Sequence, residues 1–430
     1  MFRILLVATM VLLSGATRAR PAADIPRFTP KLIIYLARGS ANACGPGCDR
    51  WIAVEGQVDQ DAASRIARFL EKVKDTQRPI YLHSPGGSVG QAYIIARLLR
   101  KRKAVARVGK TLVALCGSGS QIDDNCVRTK TGGGELEAQI VTRNAVCNSA
   151  CGYLFMGATN REVAPDAVMA IHNSRLILRL PPETPAIVTD RLMEKADREM
   201  ASFVASMGIN PEFTDLVRTV KFETPHVLTR SELFRFGIDT RAMAETEWTL
   251  ERVGIEGAFV VKVAQTRIGD GSAFRTLQWR LYCEHREHAR LVFVRGLDAD
   301  DAGLASMSLT VGSEQPLVFR KFPSFTAKYE VWRDTLGPDG IKALLEAPRL
   351  QMSEVFTGPD GRTNASSLDI DSTGLAQSWA QVHALCPAAP AQATIASPAA
   401  GSIPALPATA SPAPMFAPAV SSAPAATPAH

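Results

Sequence analysis

The sequence predicts a mixed α/β domain followed by a smaller, mostly β domain, and three patterns along the chain support this. Between residues 30 and 180, short apolar runs alternate with amphipathic segments, which is typical of α/β layers. Residues 246–388 carry short alternating runs, which indicate antiparallel strands with a few helices. The last stretch is mostly Pro, Ala and Ser and carries almost no charge. We therefore expect domains at 28–245 and 246–388, then a disordered tail at 389–430.

The apolar spacing places the elements of the first domain. A helix is expected from Asp61 through Lys74, another after Gly87, and a long one over residues 184–207. Strands are predicted at residues 31–36, 51–56, 80–83 and 105–115.

The second domain is predicted to be a set of short strands closed by two helices. The strands lie within residues 258–263, 276–283, 290–294, 307–311 and 328–332, and the helices near 338–346 and 373–385. The run Cys283-x-His285-x-x-His288 superficially resembles a metal cluster. We interpret it as an exposed hairpin turn and expect no metal.

The first nineteen residues have the pattern of a secretory signal peptide. Arg3 precedes an apolar run from Ile4 to Leu13, and small residues follow up to Ala19. We expect cleavage after Ala19, with Ala16 as the alternative. The apolar run is too short to span a bilayer, and no later run is long enough. The sequence therefore predicts an exported protein, periplasmic or secreted, without a membrane span.

The eight cysteines fall into pairs, which suits an exported chain. The predicted pairs are Cys44/Cys48, Cys116/Cys126, Cys147/Cys151 and Cys283/Cys386. Buried free thiols are the alternative, and Cys147 or Cys151 could instead be a catalytic nucleophile.

Composition and charge exclude one class of partner. Hydrophobic residues make up 46% of the chain and charged residues 21%, as in ordinary globular proteins. The net charge of +6 is small and dispersed along the chain, so we expect no nucleic-acid partner.

One stretch carries the pattern of a nucleophilic serine. Residues 146–157 read as a turn into an apolar helix with Ser149 at the bend, and residues 168–172 read as a buried strand ending in His172. Imidazole is the usual base that activates a serine hydroxyl near neutral pH. The backbone N–H groups after such a serine can hold an oxyanion, and the small residues Ala150 and Gly152 let a substrate approach.

A second stretch, residues 78–90, reads as a strand, a turn at Gly86 and Gly87, and a helix start. Together with Ser149 and His172, this order of motifs resembles the Clp-protease/crotonase superfamily over about residues 30–240. Within it, the chain is most similar to secreted bacterial Clp-protease-like proteins with a Cys-x-Ser-Ala-Cys motif. The resemblance implies a layered β-α spiral fold, Ser149 as nucleophile and His172 as its base. It also implies backbone oxyanion donors at Gly86 and Gly87, with Ala150 beside them.

Two departures from that family pattern affect the expected site. The family's aspartate would fall near Lys221, where this chain has none; Glu223 is the expected stand-in, with Asp215 as the other neighbouring acid. A Ser149–His172 dyad, a lysine base at Lys221 and loss of catalysis are the alternatives. The Gly-rich excursion at residues 116–143 is also longer than the family's connection, and we favour a solvated hairpin over a mobile lid.

The expected function is therefore a periplasmic serine hydrolase, a peptidase acting on peptides or proteins, without a cofactor. The alternative is a catalytically silent fold that acts as a binding or scaffold protein, with a cell-envelope partner at the second domain or tail. Acyl-CoA chemistry, as in the crotonase branch, is disfavoured because an exported protein meets little CoA. The resemblance also implies a homo-oligomer of unspecified copy number.

Overall fold

The computed structural model describes residues 30–117, 120–173, 183–253, 257–297, 303–312, 316–323, 328–357 and 361–387. These residues belong to one compact unit that ends at Ala388. The segments predicted as a signal peptide and as a disordered tail lie outside the described residues.

The first half of the chain is built around a mixed sheet. Its strands are β1 (Ile33–Arg38), β2 (Arg50–Glu55), β3 (Ile80–His83), β4 (Val105–Val108), β5 (Lys110–Val113), β6 (Glu135–Val141) and β7 (Asn160–Glu162). These seven strands lie in the order β5-β6-β1-β2-β3-β4-β7. Neighbours from β2 to β7 run parallel, as does the β1–β6 pair, whereas β1–β2 and β5–β6 are antiparallel.

Helices and one small β pair complete this half. The helices are α1 (Ala62–Lys72), α2 (Val89–Arg102), α3 (Asp124–Thr131), α4 (Ala150–Met156), α5 (Ala186–Ser206), α6 (Glu212–Thr219) and α7 (Arg230–Arg235), with a 3₁₀ turn at Ala114–Cys116. Two short strands, β8 (Ala170–Ile171) and β9 (His226–Val227), form an antiparallel pair. Helix α4 contains no charged residue, and every one of its residues is buried. It therefore forms part of the core that also includes Ile95, Phe203 and Phe236.

The strand expected at residues 105–115 is instead two strands that separate at Gly109. A Cβ atom at Gly109 would lie 2.7 Å from the Tyr81 ring, so the close approach requires glycine. The Gly109 N–H donates to Leu82 O (3.0 Å), and β5 then leaves β3 to pair with β6. Residues 105–115 are rich in Val, Leu and Ala on both sides of Gly109, so the sequence did not separate the two strands.

The Gly-rich excursion is neither a lid nor a solvated hairpin, so our interpretation of it is wrong. Strand β6 adds to the main sheet beside β1. The ammonium group of Lys130, at the end of α3, is fully buried and lies 2.8 Å from Glu55 Oε2. Tyr35 also donates to Glu55 (2.9 Å), so the excursion is anchored by a buried polar network.

The second half of the chain is antiparallel and has its own core. Its elements are β10 (Met243–Glu245), β11 (Thr249–Val253), β12 (Gly257–Arg267), β13 (Phe274–His285), β14 (His288–Gly296), β15 (Leu304–Val311), β16 (Leu317–Val318), β17 (Arg320–Phe322), β18 (Tyr329–Leu336), α8 (Pro338–Glu346), β19 (Arg349–Thr357), β20 (Thr363–Asp371) and α9 (Leu375–Ala384). One sheet has the order β10-β12-β13-β14-β18-β17, with β11 also on β12, and the other has the order β16-β15-β19-β20. A cluster around Trp248, Trp279, Phe293, Trp332 and Trp379 fills the space between these elements. The molecule is thus mixed α/β, with antiparallel sheets following a largely parallel one.

All eight cysteines form disulfides, in the pairs that their spacing predicts. The Cα–Cα distances are 5.0 Å for Cys44–Cys48, 5.2 Å for Cys116–Cys126, 5.1 Å for Cys147–Cys151 and 5.9 Å for Cys283–Cys386. These distances lie within normal disulfide geometry. Four disulfides suggest an oxidising environment outside the cytoplasm.

The disulfides also decide two alternatives left open by the sequence. Neither Cys147 nor Cys151 is a free thiol nucleophile, and Cys283 is not free to bind a metal. His285 and His288 pair across the turn between β13 and β14. Within the described part of the chain, no group of three or more His, Cys, Asp or Glu side chains has the geometry of a metal site. Among the same residues, no helix is both long and apolar enough to cross a membrane.

Candidate active site

Ser149 occupies a sharp turn between a strand-like segment and α4. Its backbone has φ 54° and ψ −122°, a conformation that residues other than glycine rarely adopt. The N–H groups of Cys147 and Ser149 donate to Val168 O (2.9 Å) and Ala170 O (2.8 Å). A serine on a strained strand-to-helix turn is the geometry that presents a nucleophilic hydroxyl in many hydrolases. We call residues 147–151 the Ser149 turn.

Gly86 lies directly against the Ser149 turn. A Cβ atom at Gly86 would be 2.6 Å from Asn148 O, 2.7 Å from Ser149 Cβ and 2.9 Å from Ala150 N. Gly86 also has φ 102°, so both space and backbone require glycine. The structure therefore brings together the Gly-Gly turn and the serine, which are about sixty residues apart in the sequence.

Two backbone N–H groups, one in the Ser149 turn and one in the adjoining Gly-Gly turn, are the candidate oxyanion donors. Among the described residues, neither the Gly87 N–H nor the Ala150 N–H has a hydrogen-bond acceptor. The Gly86 N–H, by contrast, donates to Ser84 Oγ (3.1 Å). Gly87 is exposed, and a side chain there would clash with the carbonyl of Val58. The candidate oxyanion donors are thus the N–H groups of Gly87, which is exposed, and Ala150, which is buried.

His172 follows β8, the strand that holds the Ser149 turn. Its Nδ1 lies 2.7 Å from the carbonyl oxygen of Asn173. A carbonyl oxygen only accepts hydrogen bonds, so Nδ1 carries the proton and Nε2 of the neutral ring keeps its lone pair. The edge of the ring contacts Phe222, with centroids 4.5 Å apart and planes at 75°. This tautomer is the one that a general base acting through Nε2 requires.

Backbone pairing, not a side-chain contact, relates His172 to Ser149. The Ser149 N–H bonds to Ala170, two residues before His172. Among the described residues, no hydrogen bond joins Ser149 Oγ to the imidazole. Catalytic hydrogen bonds are often long in the absence of substrate and shorten when substrate binds.

The position expected for an acid lies beside His172, but no carboxylate bonds the ring within the described part of the chain. The Asn173 N–H donates to Val220 O (2.9 Å), which places the segment of Lys221 and Glu223 next to the histidine. Lys221 and Glu223 are both exposed. Asp215 lies on the exposed face of α6, where it pairs with Arg218 (3.1 Å). The role expected for Glu223 stays a prediction.

Three further residues support the site; the sequence indicated only His83 among them, as a strand-end residue facing away. Asn148 accepts the Ala170 N–H through Oδ1 (3.0 Å), and Asn173 orients His172 through its carbonyl. His83 accepts the Val146 N–H through Nδ1 (3.0 Å). Burial lowers the pKa of His83 to about 4, with smaller contributions from the charges of Lys110 and Lys130. Asn148 sits inside the Cys-x-Ser motif and could have been found there, whereas a main-chain carbonyl leaves no signal in residue type.

Comparisons with known proteins give only weak likenesses. No family model matches the chain, and no curated protein matches it. Among solved structures, invasion associated protein B from Bartonella henselae has 10% identity and a TM-score of 0.26, covering 33% of this chain and 96% of that protein. A mutant of the 1510-N membrane-bound stomatin-specific protease has 15% identity and a TM-score of 0.27, covering 44% of this chain and 75% of that one.

A second mutant of the same protease, in complex with a substrate peptide, has 16% identity and a TM-score of 0.28. The match covers 44% of this chain and 71% of that one. TM-scores this low do not by themselves establish a shared fold.

Proposed function

We propose that this protein is a serine hydrolase of an extracytoplasmic compartment, a peptidase in which Ser149 is the nucleophile. One observation carries the proposal: Ser149 holds a positive-φ turn against Gly86, and the N–H groups of the next residues along each segment, Gly87 and Ala150, have no hydrogen-bond acceptor among the described residues. A strained serine next to free N–H donors suits acyl transfer, because the donors can stabilise the oxyanion of the tetrahedral intermediate.

The proposed reaction uses these groups in the order of a serine hydrolase. His172 Nε2 takes the proton of Ser149 Oγ as the oxygen attacks the substrate carbonyl carbon. The carbonyl oxygen becomes an oxyanion that accepts hydrogen bonds from Gly87 and Ala150. The imidazolium then protonates the leaving amine, which leaves an acyl group on Ser149. A water molecule, deprotonated by the same histidine, releases the acid and restores the serine.

The carbonyl of Asn173 takes the orienting role that a carboxylate has in a triad. The Nδ1–H of His172 already donates to it, so the ring is fixed in the basic tautomer without an acid. A neutral carbonyl stabilises imidazolium less than a carboxylate does. The proposed site is therefore a dyad that is slower than a full triad, and Glu223 is not required for it.

The setting of the activity belongs to the same proposal. Export through a signal peptide at residues 1–19, cleaved after Ala19, would deliver the chain to the periplasm or medium. The α/β domain at 28–245 would carry the site in a Clp-protease-like fold. The domain at 246–388 and the tail at 389–430 would provide contact with a cell-envelope partner, and the active species would be a homo-oligomer.

Hydrolysis of a fluorogenic peptide pool by the purified protein tests the function. We expect Ser149→Ala to lower the rate to background, and His172→Ala to lower it on the order of a hundredfold or more. Ser64→Ala, an exposed serine of α1, is the matched control and should leave the rate unchanged. Equal rates for wild type and Ser149→Ala would reject the hydrolase and favour the catalytically silent binding protein.

Substitution of the two candidate acids separates dyad from triad. Because His172 Nδ1 is held by Asn173, Glu223→Gln should change the rate by no more than about twofold, and Asp215→Asn likewise. A loss of tenfold or more in Glu223→Gln alone would show that Glu223 moves onto the imidazole when substrate binds. The dyad would then be the wrong mechanism, although Ser149 would keep its role.

A further inference from the structure

A disulfide spans the nucleophile. Cys147 lies two residues before Ser149 and Cys151 two residues after it, and the bond between them joins Cα atoms 5.1 Å apart. Both cysteines are fully buried, at 0% exposure. The bond therefore closes a small ring of chain with the strained serine at its centre.

The conformation of Ser149 determines where the oxyanion donor points. The ψ angle of Ser149 rotates the peptide plane that carries the Ala150 N–H, so a relaxed serine would turn that N–H away. At φ 54°, ψ −122° a non-glycine residue is held against its own preference, and such a conformation persists only where its surroundings enforce it.

The two ends of the Ser149 turn are fixed by different parts of the molecule. Cys147 is bonded through its N–H to Val168 and forms a bridge with Ser84, so it belongs to the strands. Cys151 belongs to α4 and moves with that packed helix. Apart from the chain itself, the disulfide is the covalent link between these two supports across the serine.

We propose that the Cys147–Cys151 disulfide is a positioning device for the nucleophile, so that Ser149 reaches its reactive geometry only when the bond is closed. This inference depends on the proposed hydrolase function for its catalytic consequence. Closure converts two thiols into a disulfide, and the two electrons and two protons pass to a disulfide oxidant through thiol–disulfide exchange. The site is then incomplete in a reducing cytoplasm and is completed on export.

Burial makes this closure a single maturation step and not a reversible switch. Thiol–disulfide exchange needs access to a sulfur atom, and the folded chain covers both cysteines completely. The bond must form while the Ser149 turn is still open and stays closed in the native state.

The chain contains a matched control for the test. Cys44 and Cys48 are also four residues apart, with Cα atoms 5.0 Å apart. They lie in the loop between β1 and β2 and pack in a cluster with Trp51, whereas Cys147 and Cys151 pack in the main core. Removing either disulfide opens a covalent ring of the same size, but only the ring closed by Cys147 and Cys151 contains Ser149.

The experiment compares Cys147→Ala/Cys151→Ala with Cys44→Ala/Cys48→Ala in two measurements. The first is the rate of Ser149 labelling by a fluorophosphonate, and the second is amide hydrogen exchange of the peptide covering residues 147–152. In the first variant we expect labelling at least tenfold slower and exchange at least tenfold faster, with unchanged near-UV circular dichroism and unchanged exchange in β3. The control variant should stay within about twofold of wild type in both.

Unchanged labelling and exchange in Cys147→Ala/Cys151→Ala would overturn the inference. Loss of the whole native spectrum, both in this variant and in Cys147→Val/Cys151→Ala, which fills the same space, would also overturn it. The bond would then support the entire fold and not the Ser149 turn. If wild type is not labelled at all, the hydrolase proposal fails, and hydrogen exchange alone decides whether the disulfide holds the turn.

Discussion

Ser149 is held in a backbone conformation that opposes its own preference. Its φ of 54° is one of four positive values among non-glycine residues in the described part of the chain. The others are two asparagines and a lysine that ends a helix, positions where left-handed backbone is common. Strain at Ser149 is therefore a local feature of the candidate site, and its energy can be measured.

The strain predicts that glycine stabilises this position. The free energy of unfolding of Ser149→Gly should exceed that of Ser149→Ala by about 1 kcal/mol, because glycine adopts positive φ without a Cβ clash. Equilibrium urea unfolding of both variants measures the difference. Alanine equal to or more stable than glycine would mean that Ser149 is not strained.

His83 provides a second prediction at the scale of one residue. Its folded pKa of about 4 lies below the ordinary value of 6.5, so the unfolded chain binds the extra proton between these pH values. Stability should therefore fall as pH drops from 6.5 to 4, with a contribution on the order of 2–3 kcal/mol. His83→Asn keeps an acceptor for the Val146 N–H and should remove this pH-dependent loss in urea unfolding. His383→Asn, an exposed histidine of α9, should leave the wild-type profile intact.

At the scale of elements, the sequence predicted the helices and strands that have a regular spacing of apolar side chains. It did not predict strands that are defined only by backbone pairing. Strands β1, β2 and β3 and helices α1 and α2 lie close to their predicted positions because their apolar residues face one core. Strands β19 and β20 were missed. Residues 363–367 of β20 are exposed, and all of them except Ala365 are polar, so no alternation of apolar and polar residues reveals this strand; only its pairing with β19 defines it.

The features of the candidate site also fall into those that residue type reveals and those that it does not. Ser149, His172 and the Gly-Gly turn could be found from motif order, because those positions need particular residue types. The positive φ of Ser149, the occupied Gly86 N–H and the Asn173 carbonyl could not, since all three are main-chain properties.

A buried cluster of ion pairs connects helix α7 and the turn that follows it to the sheet. Asp239 has a fully buried side chain and contacts Arg230 (2.7 Å) and Arg241 (2.6 Å). It also accepts the Val163 N–H at the end of β7 (2.8 Å). Burial by itself would raise the pKa of Asp239, but hydrogen bonds from Arg241 and Arg230 lower it to about 2. The carboxylate is therefore charged throughout the physiological pH range and joins α7 to the sheet.

Loss of this charge should be strongly destabilising. Asp239→Asn leaves the buried Arg230 guanidinium without its counter-charge, and we expect a loss of about 3–5 kcal/mol in the free energy of unfolding. Asp215→Asn, an exposed acid on α6, should cost less than about 0.5 kcal/mol. Thermal and urea unfolding check both, and similar small effects would show that the pair does not hold α7.

At the scale of the whole molecule, Glu247 joins charges from both halves of the chain. It lies between β10 and β11, and burial raises its pKa to about 7. Lys262 opposes that rise, whereas Asp371 from the second half and Asp166 from the first half add to it. Arg107 of β4 also lowers it. Ionisation of Glu247 is therefore unfavourable in the folded protein.

The contribution of Glu247 to stability changes with pH in the opposite direction to that of His83. A carboxyl whose folded pKa lies above its unfolded value of 4.5 contributes stability below pH 4.5, and this is lost as pH rises through 7. Glu247→Gln should raise the free energy of unfolding at pH 8 by on the order of 1–3 kcal/mol, and the melting temperature with it. At pH 4.5 the substitution should have little effect. Glu137→Gln, an exposed carboxylate of β6, is the control. A gain at pH 4.5 equal to that at pH 8 would mean that Glu247 does not titrate near neutral pH.

The hydrolase assignment is tested most directly by mapping where a fluorophosphonate reacts. The reagent needs an activated serine and forms a stable adduct, so intact-mass analysis followed by peptide mapping identifies the residue. We predict a single adduct at Ser149 in the folded, disulfide-bonded protein, absent from Ser149→Ala and formed about a hundredfold more slowly in His172→Ala. No adduct on folded wild-type protein, or an adduct at another serine that persists in Ser149→Ala, would contradict the assignment.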